Sequence, residues 1–164
     1  LKGTKYKFDH VIIATHTDSA KKILSKITID QKKLLNMVKY RGNTAIMHTD
    51  TSVMPKNKNN WSSWNFLSRK KTFALTYWMN LLQNLTVDKN IFVSINCDDK
   101  IKKDKIIKKI KYSHPVFTNK TQDIKNKLNE VQGENGVWFA GAWQGYGFHE
   151  DGLKSALRIV KKIR

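Results

Sequence analysis

The stretch "VWFAGAWQGYGFHEDGLKSALRIVKKI", residues 137–163, decides which fold class is expected for this chain. An apolar, strand-like run from Val137 to Ala140 meets a loop holding Gly141, Gly145, Gly147 and Gly152, and an amphipathic helical pattern follows at once. Strand, glycine loop and helix in that order form the layout of a phosphate or dinucleotide cradle. Glycines let the backbone come close to a ligand, and a helix start offers unpaired N–H groups and a positive dipole end to an anion.

Outward from this stretch, the pattern alternates between α/β and mostly strand. "FDHVIIATHTDSAKKIL" (8–24) reads as a buried strand at Val11–Ala14 and a short helix capped by Thr17 or Asp18. "TIDQKKLLNMV" (28–38) predicts a second helix with Asp30 as its cap. "TAIMHTD" (Thr44–Asp50), "WSSWNFL" (61–67), "FALTYWMN" (73–80) and "NIFVSIN" (Asn90–Asn96) read as successive short strands, which predicts an antiparallel sheet. Residues 99–117, "DKIKKDKIIKKIKYSHPVF", fit neither the helical nor the strand period, although the tail before Pro115 is expected to be extended. "TQDIKNKLNEVQ" (121–132) predicts a helix closed by Gly133. No internal repeat and no long linker divides the chain, so any domain split must be discontinuous, with α/β ends and a strand-rich middle.

At 164 residues and 40% hydrophobic content the chain can build a core. It has no run of eighteen apolar residues and no signal-like start, so a cytoplasmic protein is expected. The single Cys97 suits a reducing compartment. The chain starts at Leu1 and enters a strand almost at once, which suggests a piece of a longer protein. Net charge is +18, but only Arg41, Arg69, Arg158 and Arg164 are arginines. Base readout and bidentate phosphate clamps favour arginine, so no specific nucleic-acid partner is expected. An acidic membrane surface remains an open partner class, because clustered lysines add to such binding without an anchor.

"DHVIIATHTD", "HTDTSVMP", "WSSWNF", "TYWMN", "HPVF" and "FAGAWQGYGFHEDGLKSA" occur in that order. Together they resemble the C-terminal portion of FAD-dependent, amine-oxidase-like oxidoreductases, and the flavin-oxidoreductase-like N-terminal half of plant cyclopropane fatty-acid synthases. The likeness runs from about Phe8 to Ile163, and "GYGFHEDGL" is its most specific part. It implies an α/β fold with an α+β insertion: a partial Rossmann-type FAD domain interrupted by a substrate domain on a mixed or antiparallel sheet. Residues 1–28 would close the first pass through the FAD domain, 29–132 would form the substrate domain, and 133–164 would return to the FAD domain. The GxGxxG fingerprint belongs to a missing N-terminal FAD-binding segment, since none occurs in this chain.

Carried onto this sequence, the resemblance makes Gly141, Ala142, Trp143, Gly145, Tyr146, Gly147, Phe148, Glu150, Asp151, Gly152 and Leu153 the FAD-contacting residues. Gly141 and Ala142 would pass the ribityl and pyrophosphate groups. Gly152 and Leu153 would open the last helix toward the flavin's pyrimidine end, where a helix N-terminus stabilises negative charge by up to ~2 kcal/mol. Trp143, Tyr146 and Phe148 would wall the flavin, or simply pack between helix and sheet. Many relatives carry an acid directly after "FAG", where this chain has Ala142. Glu150 or Asp151 would take over that contact, unless they only cap the helix. His149 is the candidate catalytic residue, placed to relay a proton or bind a polar substrate group, unless it is structural or only packs on the flavin. His48, His114, Trp61, Trp64, Tyr77 and Trp78 fall in the substrate half. His16 and His48 share an "HTD" context, but no third ligand with close spacing accompanies them and no metal site is expected. The implied activity is hydride transfer from an organic, lipid-like or other small-molecule substrate to FAD. The alternatives are a non-catalytic binding module beside a lipid-modifying partner, and a basic nucleic-acid binder.

Overall fold

The computed structural model describes residues 3–69, 72–118 and 121–163. The chain is mixed α/β and divides into two compact units, Leu1–Tyr40 with Pro115–Arg164, and Arg41–His114. Among the described residues no helix is long and apolar enough to cross a membrane.

The first unit is built on a small parallel sheet. β1 (Val11–Ile13) pairs with β7 (Val137–Phe139) in the register Val11↔Val137, Ile12↔Trp138 and Ile13↔Phe139. Alternation along these strands sends Ile13 and Phe139 to one side. There they pack with Ala20 of α1 (Thr17–Ile23), Leu34 and Leu35 of α2 (Ile29–Met37), and Leu128 of α4 (Thr121–Val131). Trp138 and Ala140 pack with Ile159 of α5 (His149–Ile163). The strands are short but lie between helices, as parallel strands usually do.

Two helix starts differ from the sequence expectation. α2 is capped by Thr28, not Asp30: the Thr28 hydroxyl accepts from the Gln31 N–H and the Gln31 side chain accepts from the Thr28 N–H, both at 3.1 Å. This reciprocal box needs Gln31 three residues on, a partner that Asp30 lacks. α1 has His16 at its cap position without a side-chain cap, and Thr17 is its first, buried residue. The Thr17 N–H donates instead to the Tyr40 hydroxyl at 2.9 Å.

The outer edge of β7 is saturated. The Phe139 N–H donates to Gln132 Oε1 at 2.7 Å, and the Phe139 carbonyl accepts from Gln132 Nε2 at 2.8 Å and Gln144 Nε2 at 2.6 Å. The Val137 N–H donates to the Glu134 carbonyl, and the Val137 carbonyl accepts from the Gly133 N–H at 2.9 Å. Gly133 holds φ +85°, the left-handed turn that ends α4, and a Cβ there would lie 2.7 Å from the Trp138 ring.

The second unit is a five-stranded sheet in the order β3-β4-β5-β2-β6. β2 (Lys39–His48) leads the chain into it and β6 (Ile106–Val116) leads out. β3 (Trp64–Arg69), β4 (Thr72–Trp78), β5 (Phe92–Ile95) and β2 pair antiparallel in turn. α3 (Met79–Leu82) is a single turn after β4. One sheet face carries Ile46, Ala74 and Phe92 against Val53, Met54, Cys97 and Ile101. On the other face Trp64 and Phe66 stay largely exposed, opposite Tyr77 and Leu75.

The ambiguous lysine-rich segment resolves into a 3-10 turn, Lys103–Lys105, and then strand β6. Its start is fixed from outside: the Lys105 carbonyl accepts from the Thr49 N–H at 3.0 Å, and the Lys102 N–H donates to Asp50 Oδ2 at 2.9 Å. Pairing beside β2 sets its conformation, which its own apolar spacing does not.

Candidate functional site

The glycine loop lies at the carboxyl ends of the parallel strands β1 and β7. Gly141 leaves β7 with φ +149°, and a Cβ there would fall 2.6 Å from the Trp143 ring, so this position demands glycine. Its N–H donates to Ser155 Oγ at 2.9 Å, and the Ser155 hydroxyl donates to the Gly152 carbonyl at 2.6 Å. The fully buried Ser155 thereby ties the strand end to the first turn of α5. Ala142–Gln144 form a 3-10 turn, and the Ala142 carbonyl accepts from the N–H groups of Gly145 (3.0 Å) and Gly147 (3.2 Å).

Asp151 organises the rest of the loop. Its Oδ2 accepts from the Tyr146 N–H at 2.9 Å and the Phe148 N–H at 3.1 Å, and a methyl group on Gly145 would overlap its carboxylate. An acid on the third residue of a helix that reaches back to the preceding backbone forms half of a capping box. Glu150 is exposed and pairs with Lys154 at 3.3 Å.

The three loop aromatics separate. Trp143 is buried in the core of the first unit, 4% exposed, whereas Tyr146 and Phe148 are 67% and 63% exposed. The indole N–H of Trp143 is buried without an acceptor among the described residues. Gly147 has φ +89°, and a Cβ there would touch the Phe117 ring at 3.0 Å.

α5 opens at His149, so Gly152 lies one turn inside the helix and Leu153 follows it, exposed. The sequence expectation had Gly152 and Leu153 at the opening; Asp151 draws the helix start forward by binding the Phe148 N–H. Around Gly152 the nearest atom to an added Cβ outside the helix is the Ala142 nitrogen, at 3.8 Å. The first N–H groups of a helix lack partners within it. Those of Asp151 and Gly152 reach the Phe148 carbonyl at 3.0 and 3.3 Å, leaving those of His149 and Glu150 as the ones the helix itself does not serve. The His149 side chain is exposed.

Sequence reasoning missed Gln132, Gln144 and Ser155. Gln144 is 1% exposed and accepts from Arg158 Nη2 at 3.0 Å while holding Phe139. A polar residue at the buried position of an apolar-patterned stretch was the available signal.

The second unit contains a buried polar chain on the inner face of its sheet. The Asp50 N–H donates to His48 Nδ1 at 3.1 Å, so Nε2 carries the ring proton and donates to Ser94 Oγ at 2.9 Å. Ser94 Oγ lies 2.7 Å from Thr76 Oγ1. Burial pushes the His48 imidazole below its ordinary value against the pull of Asp50. Burial pushes the Asp50 carboxyl up, but bonds from the Lys102 and Ser52 N–H groups outweigh it and hold it below its ordinary range. Because the imidazole donates to Ser94, it cannot act as the base that would make Ser94 a nucleophile. Burial also raises the Cys97 thiol, opposed by Lys100.

Of the remaining candidates, Trp61 and Trp78 pack edge to face at 5.2 Å against the inner core. Tyr77 and His114 line a surface pocket of about 340 Å³ with Phe66, Leu75, Val93 and Ile95. His16 packs on Tyr40 at 4.9 Å. Among the described residues no group of three or more His, Cys, Asp or Glu is placed to hold a metal ion. No protein-family model matches the chain, and no curated protein sequence matches it.

Proposed function

We propose that the chain is the C-terminal part of a FAD-dependent, amine-oxidase-like oxidoreductase that moves a hydride from an organic, lipid-related substrate to FAD. Residues 1–28 would end the first pass through a Rossmann-type FAD domain, 133–164 would return to it, and 29–132 would belong to the substrate domain.

The observation that carries this proposal is the glycine loop at the carboxyl ends of two parallel strands, with the amino end of α5 opening beyond it. Ligands of open α/β sheets bind in that place. Two local features fit a bound cofactor. Gly152 has room for a Cβ, and alanine would favour the helix by up to ~1 kcal/mol, so folding alone does not call for glycine there. The buried Trp143 N–H lacks an acceptor among the described residues. The uncovered Ile12 on β1 and the exposed stripe Leu153, Leu157 and Val160 on α5 also suit a sheet that continues beyond β1.

When bound, FAD supplies the hydride acceptor. The chain's own residues would act around it: the N–H groups of His149 and Glu150 favour negative charge at the helix start, worth roughly 0.3–2 kcal/mol. Gly152 keeps the approach open. The exposed His149 would hold or pass a proton on the substrate side. Asp151 serves the loop backbone, so its contribution to cofactor binding is to hold the loop in shape.

The test is to read the coding sequence upstream of Leu1 for an in-frame strand–GxGxxG–helix segment, express the complete protein and record its visible absorbance. A flavin spectrum with about one FAD per chain is expected. A folded, colourless protein would overturn the proposal and assign the loop to a non-catalytic binding module.

A further inference from the structure

We propose that the second unit docks edge-on to an anionic lipid surface through β6. This stands independently of the flavin assignment. β6 is one of the two edge strands of the five-stranded sheet, opposite β3. Positions 100 to 111 hold seven lysines and one aspartate. Lysine on an edge strand has an ordinary use, which is to prevent pairing with another chain. That use needs no exposed apolar companions, yet Ile107, Ile110 and Tyr112 are 56%, 47% and 40% exposed.

Ile107 and Ile110 stand among the exposed Lys108, Lys109 and Lys111 along this edge. An edge-on approach therefore brings apolar groups and cations to the same plane. Ile107 and Ile110 can enter the boundary between headgroups and acyl chains while the lysine stems reach back to lipid phosphates. Lys109 pairs with Asp98 at 2.6 Å and Lys105 with Asp104 at 3.7 Å, whereas Lys108 and Lys111 make no ion pair among the described residues. β6 contains no arginine and a single tyrosine, which disfavours a nucleic-acid groove built on guanidinium forks and stacked rings.

The experiment is co-sedimentation of the full chain with phosphatidylcholine vesicles, with and without roughly a third phosphatidylglycerol. Binding to the anionic vesicles alone is expected. Lys108→Gln with Lys111→Gln should weaken it about 25-fold, at about fivefold per lysine. Ile107→Ser with Ile110→Ser should weaken it about tenfold and remove the fraction that survives raised salt. Lys161→Gln with Lys162→Gln, exposed on α5, should change little. An equal loss from the α5 pair would assign binding to diffuse lysine charge and overturn the proposal. So would an isoleucine pair without effect, or tighter binding to double-stranded DNA than to vesicles, either of which would mark a general polyanion binder. Far-UV circular dichroism confirms that each variant is folded. If one is not, the wild-type comparison of the two vesicle types and of DNA still decides.

Discussion

Replacing Asp151 with alanine should loosen the glycine loop without dissolving the core beneath it. The carboxylate accepts two backbone N–H groups, from Tyr146 and Phe148, and sits on the third residue of α5. A hydrogen bond to a charged group contributes roughly 1.5–3 kcal/mol, and this half-buried carboxylate belongs at the low end or below. An acid in the first helical turn adds ~0.3–1 kcal/mol. The sum is about 2–4 kcal/mol, or a melting temperature lower by about 4–16 °C at roughly 2–4 °C per kcal/mol for a chain of this size. Asp151→Asn keeps one carbonyl acceptor and should lose about half as much. Gly145→Ala should mimic Asp151→Ala, because its methyl overlaps the carboxylate. Thermal melts give the magnitude, and amide hydrogen exchange gives the place: Tyr146 and Phe148 should lose protection while Leu34 and Phe139 keep theirs. Unchanged protection at Tyr146 and Phe148 in Asp151→Ala would refute this account of the loop.

Gly152→Ala should stabilise the unliganded chain by up to ~1 kcal/mol in a urea titration, while the bulkier Gly152→Val should cost the complete protein its bound flavin. The second unit should weaken in acid. His48 has a lowered folded value, so its contribution is full above the unfolded value of about 6.5 and is lost as pH falls below it, by at most ~1.4 kcal/mol per pH unit. Urea midpoints at mildly alkaline and mildly acidic pH should diverge in the wild type and converge in His48→Gln. Leu34→Ala, at a fully buried site, should cost about 2–5 kcal/mol in the same assay. His149→Ala should slow turnover of the complete protein and leave its flavin content unchanged; loss of flavin would make His149 structural.

Much of the element order was legible because the apolar periods are clear where one face is buried. Val11, Val137 and the aromatic-rich runs of β3 and β4 announced their strands, and Gly133 announced the end of α4. The cap of α2 was misplaced because Asp30 is the better single cap, whereas Thr28 wins through cooperation with Gln31. Residues 106–116 could not be decided from their own spacing, since most of β6 is exposed and leaves no apolar face to read. The glycine loop was visible as a motif, but the assignment of its members was not. Nothing in the string "GAWQGYGFHEDG" says that Trp143 goes inward while Tyr146 and Phe148 go outward, or that Asp151 bonds backward to the loop. Nor does it say that Ser155 bonds to the main chain of Gly141, or Gln132 and Gln144 to that of Phe139.

The saturated outer edge of β7 gives the small parallel sheet a direction. With every N–H and carbonyl of Val137 and Phe139 on that side already engaged, partly by a glutamine amide that imitates a neighbouring strand, nothing can be added beyond β7. Growth is left to β1 alone. Recruitment of further strands, by another part of a longer chain or by a second molecule, must therefore happen on one side. Self-association through this sheet closes at a pair, since a dimer joined β1 to β1 would present only sealed margins and could not propagate into a fibre.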